Sequence, residues 1–281
     1  MRTRFAPSPT GPLHLGHAYS ALYAFDMATQ NNGEFLLRIE DIDQSRSKQK
    51  WEDQIYDDLS WLGITWSNPV LRQSDRLSVY QDALQHLEKM NLIYNCTCSR
   101  RDIQESANAP QETTQPTVGP DGLVYSGKCL TPNSIKSIDY GLPIRLDAKS
   151  AFEALAAPLK WKDDGCKSIS KASFLTEIGD VVLSRKDMGT SYHLSVVVDD
   201  ATQDISDVVR GADLADATAI HVLLQKLLGL PTPLYHHHQL IRDENGKRLA
   251  KRDDAKAISL YRQNGATAED IRRLVGLPLA S

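Results

Sequence analysis

The stretch Arg4-Phe5-Ala6-Pro7-Ser8-Pro9-Thr10-Gly11-Pro12-Leu13-His14-Leu15-Gly16-His17 runs directly into the apolar segment Ala18-Tyr19-Ser20-Ala21-Leu22-Tyr23-Ala24-Phe25. That order predicts a strand, a tight Pro/Gly-rich loop and a helix. A helix N-terminus presents unpaired N–H groups and the positive end of a dipole, which suits a phosphate. Gly16 lets a flat ring approach the backbone closely. The imidazoles of His14 and His17 can donate to phosphate oxygens. Read without its context, an H-x-x-H pair is more readily a capped helix with two surface histidines.

Beyond this opening, residues 1–95 read as strand, helix, strand, helix, helix. Phe35-Leu36-Leu37-Arg38-Ile39 is a short strand-like run after Gly33. Residues 46–62 and 75–91 carry apolar positions at helical spacing, among them Leu77, Tyr80, Leu84, Leu87 and Met90. Residues 96–141 hold three cysteines and a polar stretch, Ser106 to Pro120, whose Gln, Thr, Pro and Asn content predicts a flexible insertion. Strand signals return in residues 142–212, at Leu142-Pro143-Ile144-Arg145-Leu146, Asp180-Val181-Val182-Leu183-Ser184 and Leu194-Ser195-Val196-Val197-Val198. Residues 213–231 predict a helix around Ala219, Val222, Leu223, Leu227 and Leu228, stopped by Gly229 and Pro231. The remainder, to residue 281, predicts a loop and two short helices. Thr267-x-x-Asp270 announces the last one, and Gly276 and Pro278 stop it. Strands alternating with helices imply an α/β fold with a parallel sheet, whose ligands bind beyond the carboxyl ends of the strands.

At 281 residues the chain can bury one or two large cores. Its 41% hydrophobic and 24% charged content is ordinary for a globular protein. The N-terminus lacks an apolar signal region and no apolar run nears membrane-spanning length, so a cytoplasmic protein without a membrane partner is expected. A net charge of −4 argues against a general nucleic-acid binder, leaving local basic patches for any RNA contact.

The four cysteines do not read as a disulfide framework. Cys96-x-Cys98 and Tyr125-x-x-x-Cys129 form a cluster in sequence, with Cys166 apart as a plain thiol. Thiolates hold Zn²⁺ tetrahedrally, but three leave a site one ligand short, and buried free cysteines are the competing reading. His236-His237-His238 also invites a metal, yet consecutive side chains in extended backbone point to alternate faces. A solvated strand or loop is the favoured reading there.

The opening motif resembles the HIGH signature of class I aminoacyl-tRNA synthetases, and the form Arg-Phe-Ala-Pro-Ser-Pro-Thr-Gly resembles their glutamate-specific branch. Lys247-Arg248-Leu249-Ala250-Lys251-Arg252 resembles the KMSKS loop of the same family, with Arg248 in place of the first lysine, Ala250 in place of the serine, and Lys251 as the retained second lysine. The resemblance implies a Rossmann-type parallel-sheet catalytic domain in two halves (1–95 and 142–212). Between them it implies a connective insertion (96–141) that binds zinc, and after them a helical stem-like region (213–281) carrying the second signature. It implies a glutamate site at Arg4, Phe5, Ala6, Pro7, Ser8, Glu40, Tyr192 and Arg210, with Glu40 on the ammonium and the two arginines sharing the carboxylates. It implies an ATP site at His14, Gly16, His17, Arg248, Leu249, Ala250, Lys251 and Arg252, with His14, His17 and Lys251 catalytic and Mg²⁺ arriving with the ATP. One histidine of the triple, His237, matches a family position.

The cysteine pattern is similar to that of the glutamyl-queuosine tRNA(Asp) synthetases, in which Cys96, Cys98, Tyr125 and Cys129 would hold one structural zinc. Only thirty residues follow Lys251, where tRNA-charging relatives continue into an anticodon-binding domain. The expectation is therefore a monomeric enzyme that activates L-glutamate with ATP and transfers it to queuosine in tRNA(Asp). Three alternatives stay open: a glutamyl-tRNA synthetase charging tRNA(Glu), another adenylyl-transferring enzyme of the same fold, and a non-catalytic RNA-binding paralogue.

Overall fold

The computed structural model describes residues 1–107, 117–125, 127–131, 134, 137–241 and 256–279. The chain forms two compact units. The first comprises Met1–Asp75, Asp204–Asp213 and Pro233–Ser281, and the second Arg76–Gln203 and Leu214–Thr232.

In the first unit, strand Arg2–Phe5 pairs in parallel with Glu34–Ile39, which pairs in parallel with Ser67–Arg72. Strands Asp207–Gly211 and Leu234–His238 form a second parallel pair. The Ser206 N–H donates to the Arg2 carbonyl at 3.1 Å, and the Arg2 N–H to Ser206 Oγ at 2.8 Å, which sets Asp207–Gly211 beside the first strand. The chain thus builds outward from Arg2–Phe5 to one side and then to the other, and the crevice of such a sheet lies where that order reverses.

The helices Leu15–Gln30 and Gln49–Trp61 make the crossovers. Leu15–Gln30 buries Ala18, Ala21, Ala24 and Ala28 around Leu22, so its backbone lies close on the sheet. The hydroxyl of buried Thr3 donates to the Ala24 carbonyl at 2.8 Å. Gly33 is required by packing, because a Cβ there would lie 2.2 Å from the Met1 carbonyl oxygen. Helices Ile258–Gln263 and Ala268–Leu274 add Ile258 and Ile271 to the same core. The buried Arg272 guanidinium holds both oxygens of Asp26 at 2.8 Å. Thr267 and Asp270 form the expected reciprocal cap: the Asp270 N–H donates to Thr267 Oγ1 at 3.2 Å and the Thr267 N–H to Asp270 Oδ2 at 2.9 Å.

The second unit sets Ile144–Leu146 between Ile93–Asn95 and Val182–Ser184 in an antiparallel sheet. Helices Leu77–Lys89, Tyr192–Thr202 and Thr218–Leu227 pack within the unit. Fully buried Asp199 accepts from Arg76 Nε at 2.7 Å and from the Tyr80 hydroxyl at 2.8 Å.

One expectation needs correction. Leu194-Ser195-Val196-Val197-Val198 is helix, not strand: it lies inside Tyr192–Thr202, whose residues His193 to Asp200 are all buried. Burial on every side removes the amphipathic period, and β-branched valines then mimic a strand. The Ser191 hydroxyl, accepting the Leu194 N–H at 3.4 Å, starts the helix. Strand Ser67–Arg72 is additional to the expected elements, and as an edge strand it tolerates Pro69. The three-residue strand Ile93–Asn95 is likewise additional, too short for a periodic signal.

Candidate active site and metal cluster

The loop from Ala6 to Leu13 carries the chain from the carboxyl end of Arg2–Phe5 to the start of Leu15–Gln30. His14 is the helix N-cap. Its Nδ1 accepts the Gly16 N–H at 3.1 Å, while its own N–H donates to Nδ1 of His17 at 3.2 Å. Two orphan donors of the helix start are satisfied reciprocally. Acceptance at both Nδ1 atoms places the ring protons on Nε2, so each histidine is a neutral donor through that atom. The rings lie against one another, centroids 3.8 Å apart. A Cβ on Gly16 would sit 3.1 Å from Cε1 of His14, so glycine is what allows the ring to fold over the turn.

Arg4, Glu40 and Arg210 gather at strand ends of the same unit. Arg4 is buried and its Nη1 donates to the Val209 carbonyl at 3.3 Å, on the strand that carries Arg210. Glu40 follows Glu34–Ile39 directly; its N–H donates to the Pro7 carbonyl at 3.1 Å and its carboxylate lies 3.5 Å from Nη2 of Arg38. Arg210 is buried, with Nε donating to Nε2 of His237 at 3.0 Å and its guanidinium 5.1 Å from the Tyr235 ring. Two guanidinia and one carboxylate on neighbouring strand ends match a small ligand that bears both carboxylate and ammonium groups. Ser8 is exposed and Ala6 half-buried, whereas Phe5 and Pro7 are buried and Phe5 packs into the core. Tyr192 is the first residue of its helix in the second unit.

The three histidines diverge, as alternation requires. His236 Nε2–H donates to Asp207 at 2.8 Å, and His237 stacks on Tyr235 while accepting from Arg210. His238 Nδ1–H donates to the Gln239 carbonyl at 3.0 Å, leaving Nε2 to accept the Ser20 hydroxyl at 2.7 Å. Burial lowers the His238 pKa. These histidines sit in a strand, as one of the two expected readings had it, but a paired one in which His236 and His237 are half-buried and His238 is buried. The Arg210–His237 partnership, set by their register, was invisible in the sequence.

Arg248, Leu249, Ala250, Lys251 and Arg252 lie outside the described residues. The chain returns from that stretch onto the first signature: Ala257 bridges His14 in antiparallel fashion, and the Ile258 N–H donates to the Leu13 carbonyl at 2.9 Å.

In the second unit, the Sγ atoms of Cys96, Cys98 and Cys129 lie within 4.8 Å of one another. Cys98 and Cys129 are 3.4 Å apart. A tetrahedral ion with sulfur bonds of about 2.3 Å separates its sulfurs by about 3.8 Å. The Tyr125 hydroxyl is 3.2 Å from Cys98 Sγ and accepts the Cys129 N–H at 2.9 Å. All four expected ligands therefore converge, and the cluster can hold a metal ion. Burial pushes the Cys129 thiol up, but hydrogen bonds from Tyr125, the Thr97 backbone and the other two cysteines outweigh it and bring it down to about 7. Cys98 is raised, chiefly by burial. Sequence reasoning missed the support: the Arg145 guanidinium lies 4.1 Å from the Tyr125 ring centroid while its Nη1 donates to the Asp180 carbonyl at 2.6 Å. Cys166 is exposed and apart.

Residues 1–278 match the model of the class I tRNA synthetases (E and Q), catalytic domain. The chain is 56% identical to the Glutamyl-Q tRNA(Asp) synthetase of Rhodobacter capsulatus, over 99% of this chain and 100% of that protein. It is 39% identical to the protein of the same name from Burkholderia cenocepacia, over 92% of this chain and 82% of the relative. Among solved structures, the glutamate-tRNA synthetase of Elizabethkingia anophelis superposes with a TM-score of 0.77 at 26% identity. That match covers 98% of this chain but only 61% of the Elizabethkingia chain. The methionyl-tRNA synthetase of Mycobacterium tuberculosis shares the fold, with a TM-score of 0.59 at 9% identity. Among the described residues no helix is long and apolar enough to cross a membrane. A histidine-capped helix start, basic strand ends, a metal-capable cysteine cluster and these matches agree: the chain belongs to the class I tRNA synthetases of the E and Q group, a family of ligases.

Proposed function

We propose that this chain activates L-glutamate with ATP, without help from tRNA, and transfers it to the cyclopentene-diol of queuosine in tRNA(Asp). What carries the reading is the pairing of Arg4, Arg210 and Glu40 at the strand ends with the His14–His17 cap, in a chain 56% identical over its length to a Glutamyl-Q tRNA(Asp) synthetase. Glu40 takes the ammonium and the two arginines share the carboxylates, with Ser8 and the Phe5–Pro7 backbone beside them; Tyr192 is read as a further glutamate contact.

The glutamate α-carboxylate attacks the α-phosphorus of ATP; a P–O bond forms as the bond to pyrophosphate breaks. The nucleophile is already ionised at neutral pH, so no general base is needed. Catalysis rests on positioning and charge stabilisation. His14 and His17 donate through Nε2 to phosphate oxygens at the helix N-terminus, and Gly16 gives the nucleotide close access. Lys251, flanked by Arg248, Leu249, Ala250 and Arg252, neutralises charge on the leaving pyrophosphate, with Mg²⁺ as part of the ATP substrate. A hydroxyl of the acceptor then attacks the mixed anhydride and AMP leaves. Zinc on Cys96, Cys98, Tyr125 and Cys129 is structural, holding a small segment with little core of its own. The reading carries with it a cytoplasmic monomer.

Transfer of labelled glutamate tests it, with queuosine-bearing tRNA(Asp), the same tRNA lacking queuosine, and tRNA(Glu) compared side by side. Label on the queuosine-bearing tRNA(Asp) alone is expected. Label on tRNA(Glu) would make the protein a charging synthetase instead.

A further inference from the structure

Asp121 stands at the turn of the hairpin formed by Val118–Gly119 and Gly122–Leu123. The hairpin is wedged on its support. A Cβ on Gly119 would meet the Glu177 carbonyl oxygen at 2.3 Å, and one on Gly179 would meet Val124 Cγ1 at 2.9 Å. Asp121 therefore occupies a position that close contacts hold on either side.

From there its two oxygens divide. Oδ2 accepts the Val182 N–H at 3.3 Å, a local structural bond. Oδ1 lies 3.6 Å from Nε2 of His193. Nδ1 of His193 is in turn 3.1 Å from Nε2 of His221, and both imidazoles are buried. The Tyr192 ring stands edge-on to both, at centroid distances of 5.5 Å and 5.6 Å.

A carboxylate beside Nε2 favours the proton on that atom. Nδ1 of His193 then accepts, so His221 must present Nε2–H to it, which selects one orientation of the His221 ring. That ring is part of the surface on which Tyr192 rests. The same segment runs on to Tyr125, whose hydroxyl faces Cys98, so the cysteine cluster holds the far root of the hairpin.

We propose that Asp121 is a positioning residue for Tyr192, acting through His193 and His221, and that it transmits the order of the Cys96, Cys98, Tyr125 and Cys129 cluster to amino-acid binding. The proposal rests on the reading of Tyr192 as a glutamate contact. A general structural role for Asp121 would lower stability and every kinetic constant together. Positioning of Tyr192 acts on glutamate alone.

Asp121→Asn keeps the volume and the Val182 acceptor but removes the charge. In glutamate-dependent ATP–pyrophosphate exchange, the KM for glutamate is expected to rise about tenfold, with kcat and the KM for ATP within about twofold. Asp121→Glu should recover part of the loss. In ¹⁵N spectra of the same variant, the imidazole resonances of both His193 and His221 should move. An unchanged glutamate KM, an equal loss in the ATP KM and kcat, or an unmoved His221 resonance would overturn the proposal. If Asp121→Asn does not fold, His221→Gln must give the same selective rise in glutamate KM. A wild-type chain without exchange would sink the activation reading instead, and the ring resonances would then decide the Asp121 chain separately.

Discussion

The Gly16 N–H donates to Nδ1 of His14 at 3.1 Å, and a methyl group on Gly16 would lie 3.1 Å from Cε1 of the same ring. One residue therefore both anchors the imidazole and leaves room for it. Gly16→Ala favours the helix by up to about 1 kcal/mol through propensity. It also pushes His14 aside by a few tenths of an ångström. Unchanged or slightly raised thermal stability is expected, with exchange activity reduced roughly tenfold to a hundredfold. Melting curves and pyrophosphate exchange on one preparation check both halves; an unimpaired variant would mean that the His14 position is not limiting.

His237 and His236 separate a site role from a structural one. His237→Ala removes the acceptor for Arg210 Nε, so the guanidinium loses its aim. A rise of about tenfold in glutamate KM is expected, since one charge-assisted bond is worth roughly 1.5–3 kcal/mol and part of it is recovered by water. His236→Ala loses the Asp207 contact instead and should leave the glutamate KM within about twofold. Steady-state exchange kinetics with glutamate varied distinguish the two.

The metal reading gives its own expectation for Tyr125→Phe. The ring keeps its place under Arg145, but the hydroxyl facing Cys98 is gone. Metal content should fall well below one equivalent after dialysis against a mild chelator, while the wild type retains close to one. Elemental analysis decides it. Full retention by the phenylalanine variant would remove Tyr125 from the ligand set and leave the three cysteines.

Asp58 sets a pH-dependent term in stability. It is buried in helix Gln49–Trp61, and burial, with Asp57 adjacent, raises its pKa to about 6 from 3.8. A carboxyl raised on folding adds stability that is fully present below the unfolded pKa and is lost as pH rises through the folded one. The loss thus falls between pH 4 and pH 6. Asp58→Asn should stabilise the protein by roughly 1–2 kcal/mol at pH 7.5 and by almost nothing at pH 4. Urea unfolding at both pH values measures the difference; equal effects would place the cause elsewhere than in ionisation.

Lys251→Ala should lower exchange by about a hundredfold or more, the scale of losing a transition-state charge contact. Ala257, six residues beyond it in the sequence, bridges His14. Wild-type exchange by this variant would end its assignment.

Much of this was legible in the residues themselves. The Pro/Gly-rich loop between the short strand Arg2–Phe5 and an alanine-rich segment demanded strand, turn and helix, because those preferences are local. The Thr267–Asp270 cap and the divergence of His236, His237 and His238 followed from backbone geometry over a few residues. The spacing of Cys96, Cys98, Tyr125 and Cys129 raised a metal site but left buried free cysteines as an alternative, since ligand convergence is a matter of three dimensions. Tertiary structure alone decided that Leu194–Val198 is helical, because complete burial erases the periodic signal on which sequence reading depends. It alone set Arg210 against His237, Arg145 under Tyr125 and Asp121 beside His193. Each pair joins residues distant along the chain, and strand register or packing, not sequence spacing, fixes their distances.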